Sequence, residues 1–207
     1  MRNLNDNAPI KVAILGGPGT GKTTLCKQLD VDYGLAGYFS SVCEEFAREY
    51  IVNYGVPSNI FEQFLLYEGQ KKREAYLKNS DIIFCDNATI LCYVYGVLTC
   101  DFNNPKEKYA LLKLFEWAMR DLNEYEVFYI PREIQLVDDG VRYQNLEFAL
   151  QVDEKIKNFF GMMNVEFTET KGTLQERLDI VKKRLDLPPK KNIASITHEI
   201  ILEDMGM

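Results

Sequence analysis

Residues 10–24 read Ile10-Lys11-Val12-Ala13-Ile14-Leu15-Gly16-Gly17-Pro18-Gly19-Thr20-Gly21-Lys22-Thr23-Thr24. From Gly16 the stretch fits the spacing G-x-x-x-x-G-K-[ST]. An apolar run enters it and a helix-compatible segment, Thr24 to Leu29, leaves it, which is the context this pattern needs. A polyphosphate requires several backbone N–H groups converging on its oxygens, and a glycine-rich turn lets the main chain come that close. The helix N-terminus that follows adds unpaired N–H groups and the positive end of a dipole. The reading assigns nucleotide binding to Gly17, Pro18, Gly19, Thr20, Gly21, Lys22, Thr23 and Thr24. Lys22 reaches the β- and γ-phosphates of ATP, and the Thr23 hydroxyl binds Mg²⁺. A chance turn between strand and helix would not need Lys-Thr at its end.

Outward from this loop, the 207 residues suffice for one α/β domain with a substantial core, or one domain with a small lid. A net charge of −7 and a pI near 4.9 argue against broad binding to nucleic acid or an anionic membrane, since both need a positive face. The five cysteines, Cys26, Cys43, Cys85, Cys92 and Cys100, form no C-x-x-C pair and mostly sit in apolar runs. Buried free thiols in a reducing cytoplasm are therefore expected. No signal peptide opens the chain, and the longest nearly apolar stretch, Ile90 to Leu98, is too short to cross a bilayer.

Residues 1–9 read as a loose arm. Ile10 to Leu15, without polar alternation, suits a central parallel strand. Tyr38 to Val42 reads as a second strand and Cys43 to Tyr54 as a helix with Phe46, Tyr50 and Tyr54 on one face. Asn59 and Glu62 form a capping pair for a helix to about Lys78. The first half of that helix carries Phe61, Phe64 and Leu65, and in its polar second half Lys71-Lys72-Arg73 reads as a solvated run. Asp81 to Asp86 is a strand ending in an acid. Asn104-Pro105-x-Glu107 starts a helix with Leu111, Phe115, Ala118 and Leu122 in its buried stripe. Val127 to Ile130 is the next strand, Asn145 to Phe160 a helix stopped by Gly161, Val165 to Thr168 a short last strand, and Thr173-x-x-Glu176 the cap of a final helix through Leu185. Alternating strands and helices imply a parallel sheet, helices on both faces, and a ligand site at the carboxyl edge of the strands. One domain is expected over 10–187, with a lid at about 132–145 and a tail at 188–207.

Asp86 ends a buried strand at the edge that holds Lys22 and Thr23. It is open to two roles, holding Mg²⁺ through water or accepting the proton of an attacking hydroxyl, and capping the next segment is the structural alternative. Glu45-Phe46-Ala47-Arg48-Glu49-Tyr50 suits an acceptor pocket, since an arginine clamps an anion and an aromatic covers a flat ring, although an ordinary amphipathic helix reads the same way. Arg142, after Asp138-Asp139-Gly140, is placed to swing onto a transferring phosphate or to stay solvated. His198 reads as surface.

Together these segments resemble the ribosylnicotinamide kinase domain of the NadR family of P-loop kinases, over roughly residues 10 to 186. The loop Gly16 to Thr24 is similar to that family's nucleotide site, Glu45 to Tyr50 to its E-x-x-R-E-Y signature, Phe84-Cys85-Asp86-Asn87 to its strand ending in a substrate-binding acid, and Leu136 to Arg142 to its lid. The resemblance implies a P-loop NTPase fold with about five parallel strands, ATP and Mg²⁺ as cofactors, and a nucleoside-like acceptor such as nicotinamide riboside in NAD metabolism. It further implies Lys22, Asp86 and Arg142 as catalytic residues, Glu45, Arg48, Tyr50 and Asp86 as acceptor contacts, and Thr23 and Asp86 as metal contacts. Asn87 departs from the family's small or hydroxyl residue beside the acid, no second lid arginine follows Arg142, and the adenylyltransferase domain that often accompanies this kinase has no counterpart. The rivals are a nucleoside or nucleoside-monophosphate kinase for another base and a regulatory ATPase switch. No N-K-x-D sequence supports a GTPase. Whether the chain forms a homo-oligomer is left open.

Overall fold

The computed structural model describes residues 8–133 and 146–190. Five strands, β1 (Ile10–Leu15), β2 (Ser40–Cys43), β3 (Ile82–Asp86), β4 (Tyr125–Tyr129) and β5 (Thr168–Glu169), form one sheet in the order β2-β3-β1-β4-β5. Every pairing is parallel. Among the described residues seven helices connect and flank them: α1 (Lys22–Leu35), α2 (Phe46–Tyr54), α3 (Glu62–Tyr76), α4 (Ile90–Thr99), α5 (Pro105–Leu122), α6 (Leu146–Met163) and α7 (Leu174–Leu185).

Strand alternation divides the core in two. Val12, Ile14, Ile82, Phe84 and Phe128 point to one face and meet Leu25, Leu29, Leu178 and Val181 of α1 and α7. Ala13, Leu15, Ile83, Cys85, Val127 and Tyr129 point to the other and meet Ile90, Leu91 and Val94 of α4 and Val152, Ile156 and Phe159 of α6. Both faces are covered, which is why these strands are mostly apolar without regular polar alternation. A third cluster, with Ile60, Leu66, Tyr67, Ala110 and Leu114, joins α3 and α5, and Trp117 rims it against Phe64 and Tyr67.

The differences from expectation have local causes. α4 lies in the stretch read only as apolar: it is surrounded by protein, so it carries no amphipathic stripe. Gly161 does not stop α6, which runs to Met163 and closes at Asn164 in the left-handed conformation, with Val165 N–H donating to Phe160 O at 3.0 Å. That closure uses residues assigned to the last strand, and β5 shrinks to Thr168–Glu169. α3 buries Gln63, Leu66, Tyr67, Gln70 and Glu74, leaving Phe61 and Leu65 about half exposed. The lysine-arginine run is not a solvated face as a whole: Lys71 pairs with Asp121 and Glu124, Arg73 pairs with Glu49, and Lys72 alone is exposed. Asp81 stands before β3, where its carboxylate accepts the Phe39 N–H. The cap at Asn104 and the capping box of Thr173 and Glu176 are formed as read.

Four of the five cysteines are buried, and all five are free thiols. No described helix is long and apolar enough to cross a membrane. Residues 1–7 of the arm, residues 134–145 of the lid with Arg142, and residues 191–207 of the tail with His198 lie outside the described residues.

Candidate active site

The loop between β1 and α1 sits at the carboxyl edge of the sheet. Gly19 (φ 78°) and Gly21 (φ 92°) take left-handed conformations that residues with a Cβ adopt at a cost, and Gly21 delivers the chain into the first turn of α1. Thr20 Oγ1 donates to Gly17 O at 3.1 Å, and Lys22 Nζ donates to the same carbonyl at 2.9 Å. The lysine is therefore buried and curled over the loop. Thr23 Oγ1 donates to Asp86 Oδ2, while Thr24 is exposed on the first turn of α1. Pro18 is buried in the loop.

Asp86 reaches this edge because β3 pairs with β1 in a register that sets Asp86 beside Ile14, two residues before the loop. It is 4% exposed, and its Oδ1 has no hydrogen-bond partner. A buried carboxylate oxygen without a partner is costly unless a ligand completes it. With the Thr23 hydroxyl alongside, these oxygen donors fit Mg²⁺, which takes one or two protein ligands and fills its remaining positions from phosphate and water.

Glu45 stands at the N-cap position of α2, where its side chain makes no capping bond and instead accepts from Asn87 Nδ2 at 2.7 Å. Burial pushes its carboxyl above the usual range; the nearby Lys22 ammonium opposes this and the Asp86 carboxylate reinforces it. Arg48 is exposed. A cleft of about 410 Å³ is lined by Thr23, Lys27, Glu44, Glu45, Arg48, Glu49, Val52, Arg73 and Asp86. The structure thus brings Thr23, Glu45, Arg48 and Asp86 together. It places Tyr50 elsewhere: its ring packs on Phe46 and Tyr54, and its hydroxyl donates to Glu62 Oε2 at 2.9 Å, away from this cleft.

Three residues at the loop escaped the sequence reading. Asp153 of α6 accepts Gly17 N–H at 2.8 Å and Arg132 Nε at 2.7 Å. A Cβ on Gly17 would collide with that carboxylate. Arg177 of α7 donates to Thr20 O at 2.7 Å and pairs with Glu133 at 3.2 Å. Arg132 keeps two buried terminal nitrogens without partners beside the loop. Only Arg132 left a trace in the sequence, as a cation just past the carboxyl end of a strand. Asp153 and Arg177 lie on amphipathic helices where nothing distinguishes them from surface charges.

Glu45 gives a stability test with a defined sign. The folded chain retains this proton at pH values where the unfolded chain has released it, so the group's contribution to stability falls as pH rises through that window. Glu45→Gln is expected to raise Tm relative to the parent at about pH 8 and not at about pH 4. Thermal melts at both pH values check this, and equal shifts would refute a raised carboxyl.

The family described as AAA domain matches residues 11–177. The chain belongs to this family. Among curated proteins no sequence matches it. Among solved structures, NadR protein in complex with NR is similar with a TM-score of 0.68 at 17% identity, over 89% of this chain and 53% of that one. NadR protein in complex with NAD and AMP-PNP gives 0.64 at 15%, over 89% and 52%. Deoxyadenosine kinase from M. mycoides with bound dATP gives 0.57 at 14%, over 86% and 100%. The chain spans about half the length of the NadR chains. At these identities the likeness shows the architecture: a P-loop NTPase fold of the kind these proteins share.

Proposed function

We propose that the protein transfers the γ-phosphoryl group of ATP to a hydroxyl of a nucleoside-like small molecule, with nicotinamide riboside as the first acceptor to test. The observation that carries this reading is the meeting of Thr23 and Asp86, next to the loop that holds Lys22, in a cleft that continues to Glu45 and Arg48. A switch needs the phosphate loop but has no use for a cleft beside it. The NadR structure in complex with NR and the nucleotide-bound deoxyadenosine kinase support the choice of acceptor class.

In this reading the loop N–H groups and Lys22 hold the phosphates of ATP, Lys22 exchanging the Gly17 carbonyl for a phosphate oxygen. Thr23 and Asp86 would hold Mg²⁺, which when bound neutralises phosphate charge. Asp86 orients or deprotonates the attacking hydroxyl, and Arg48 and Glu45 position the acceptor. Arg142 stays assigned, from the sequence, to charge stabilisation in the transition state. The kinase domain is taken as 10–187, with the tail following, and the five free thiols suit a cytoplasmic protein.

The test is ADP release with and without nicotinamide riboside, adenosine, deoxyadenosine and other nucleosides and their monophosphates. The reading expects turnover to depend on one acceptor class and to fall about 10²-fold or more in Asp86→Asn. Hydrolysis at one rate whatever is added would overturn it in favour of an ATPase.

A further inference from the structure

Behind the cleft lies a second, smaller cavity of about 30 Å³ between α2, α3 and α4, lined among others by Glu45, Gln63, Gln70, Asn87 and Leu91. Glu45 lines both spaces and stands between them. Two buried amide oxygens there have no hydrogen-bond partner, Gln63 Oε1 and Asn87 Oδ1. Both residues are more than nine-tenths buried, at 2% and 6% exposure. The orientation of Asn87 is fixed, because its Nδ2 donates to Glu45 Oε1 at 2.7 Å and the oxygen must then face the other way. Gln70 in the same wall differs: it accepts Phe46 N–H at 2.9 Å and donates to Cys43 Sγ at 3.3 Å, so it pins α2 and offers nothing to a ligand.

Asn87 is also held in the left-handed conformation, φ 64°, directly after Asp86, with its N–H on Ile14 O at 3.2 Å. Residues outside glycine adopt this conformation at a cost, and asparagine bears it best. A buried strained residue with an unpaired oxygen, next to the acid of the reaction cleft, is arranged for something other than stability. The cavity is too small for a ring. It has room for one or two water-sized groups, and its unpaired atoms are acceptors, with the Glu45 carboxylate beside them.

We propose that Gln63 and Asn87 form a specificity subsite that takes the terminal –NH₂ of the acceptor's base, as an exocyclic amine or a primary carboxamide, while the sugar hydroxyl lies toward Asp86. This rests on the kinase reading above. An –NH₂ group donates two hydrogen bonds, one for each orphaned oxygen. A base bearing hydrogen at that position leaves both oxygens unpaired, and a carboxylate sets acceptor oxygens against acceptor oxygens.

The test compares kcat/KM for matched acceptors: adenosine against purine riboside, which lacks the amine, and nicotinamide riboside against nicotinic acid riboside. The first pair probes an amine and the second a carboxamide. At least one –NH₂ acceptor is expected to be preferred by about 10²-fold or more, and Gln63→Leu to reduce that ratio about tenfold. Calorimetric binding of the same pairs without ATP is expected to show the same preference. If nucleosides are phosphorylated with ratios near one, or if Gln63→Leu leaves the ratio unchanged, the cavity holds a structural water and the subsite is wrong while the kinase reading stands. If no nucleoside is phosphorylated, both fall. The wild-type ratios remain decisive should Gln63→Leu not fold.

Discussion

Replacing Lys22 by alanine is expected to lower kcat/KM for phosphoryl transfer by about 10³-fold or more, the scale on which a preorganised charge contact to the reacting group acts. The side chain is 7% exposed and donates to Gly17 O at 2.9 Å, so the ammonium is already desolvated and aimed across the loop. In water such a charge would lose most of its effect to screening; here it is held ready beside Asp86 and Glu45. The substitution removes one hydrogen bond to a carbonyl and also a buried cation, so the fold should survive. Steady-state kinetics with each acceptor, beside thermal melts, check both halves. A variant that melts with the parent and retains a tenth or more of its activity would show that the loop does not act as assigned.

The second large effect lies behind the site. Asp121 on α5 is fully buried and accepts Tyr67 OH and Thr89 Oγ1, each at 2.8 Å. Arg120 Nε donates to it at 3.1 Å, and Lys71 Nζ lies at 3.4 Å. Lys71 and Lys11 share Glu124, and Lys11 also meets the buried Glu74, which accepts Tyr125 OH at 2.7 Å. The Lys11 ammonium keeps its proton up to about 12: burial works against the charge, and the bonds and charges of Glu124 and Glu74 outweigh it. This network ties α3, α5, β1 and β4 to Thr89, three residues beyond Asp86. Asp121→Ala removes the acceptor for the Tyr67 hydroxyl proton, leaves Thr89 Oγ1 only the Tyr125 hydroxyl at 3.4 Å, and takes from Lys71 its buried carboxylate. It is expected to cost about 3–5 kcal/mol. At roughly 2–4 °C per kcal/mol in a domain of this size, Tm should fall by about 6–20 °C. Urea denaturation measures it; a loss below about 1 kcal/mol would mean that water replaces the carboxylate.

The phosphate loop was legible because its chemistry demands glycines, a lysine and a hydroxyl at fixed spacing within one short segment. The position of Asp86 beside the loop was legible because it closes an apolar strand of a parallel sheet. The sheet was readable from its apolar runs. What stayed hidden depends on tertiary partners. Gln63, Gln70, Glu74 and Asp121 look like solvent-facing helix residues, and they are buried because each finds a partner on another element or faces a cavity. The same contacts drew the apolar Phe61 and Leu65 outward. Tyr50, placed in the acceptor pocket by its neighbours in sequence, faces α3, since a helix turns successive residues to different sides. Arg132, Asp153 and Arg177 converge on the loop from three separate segments, a juxtaposition no local pattern encodes.

The central claim is that phosphate leaves ATP for a small hydroxyl compound in the cleft between Thr23, Asp86 and Arg48. The most direct measurement is mass spectrometry of a single turnover of ATP, with enzyme in excess over nucleotide and nicotinamide riboside and adenosine both present. The account predicts that one nucleoside gains a single phosphoryl group in step with ADP formation, and that Lys22→Ala removes both signals. ADP and free phosphate appearing together, with neither nucleoside modified, would contradict it.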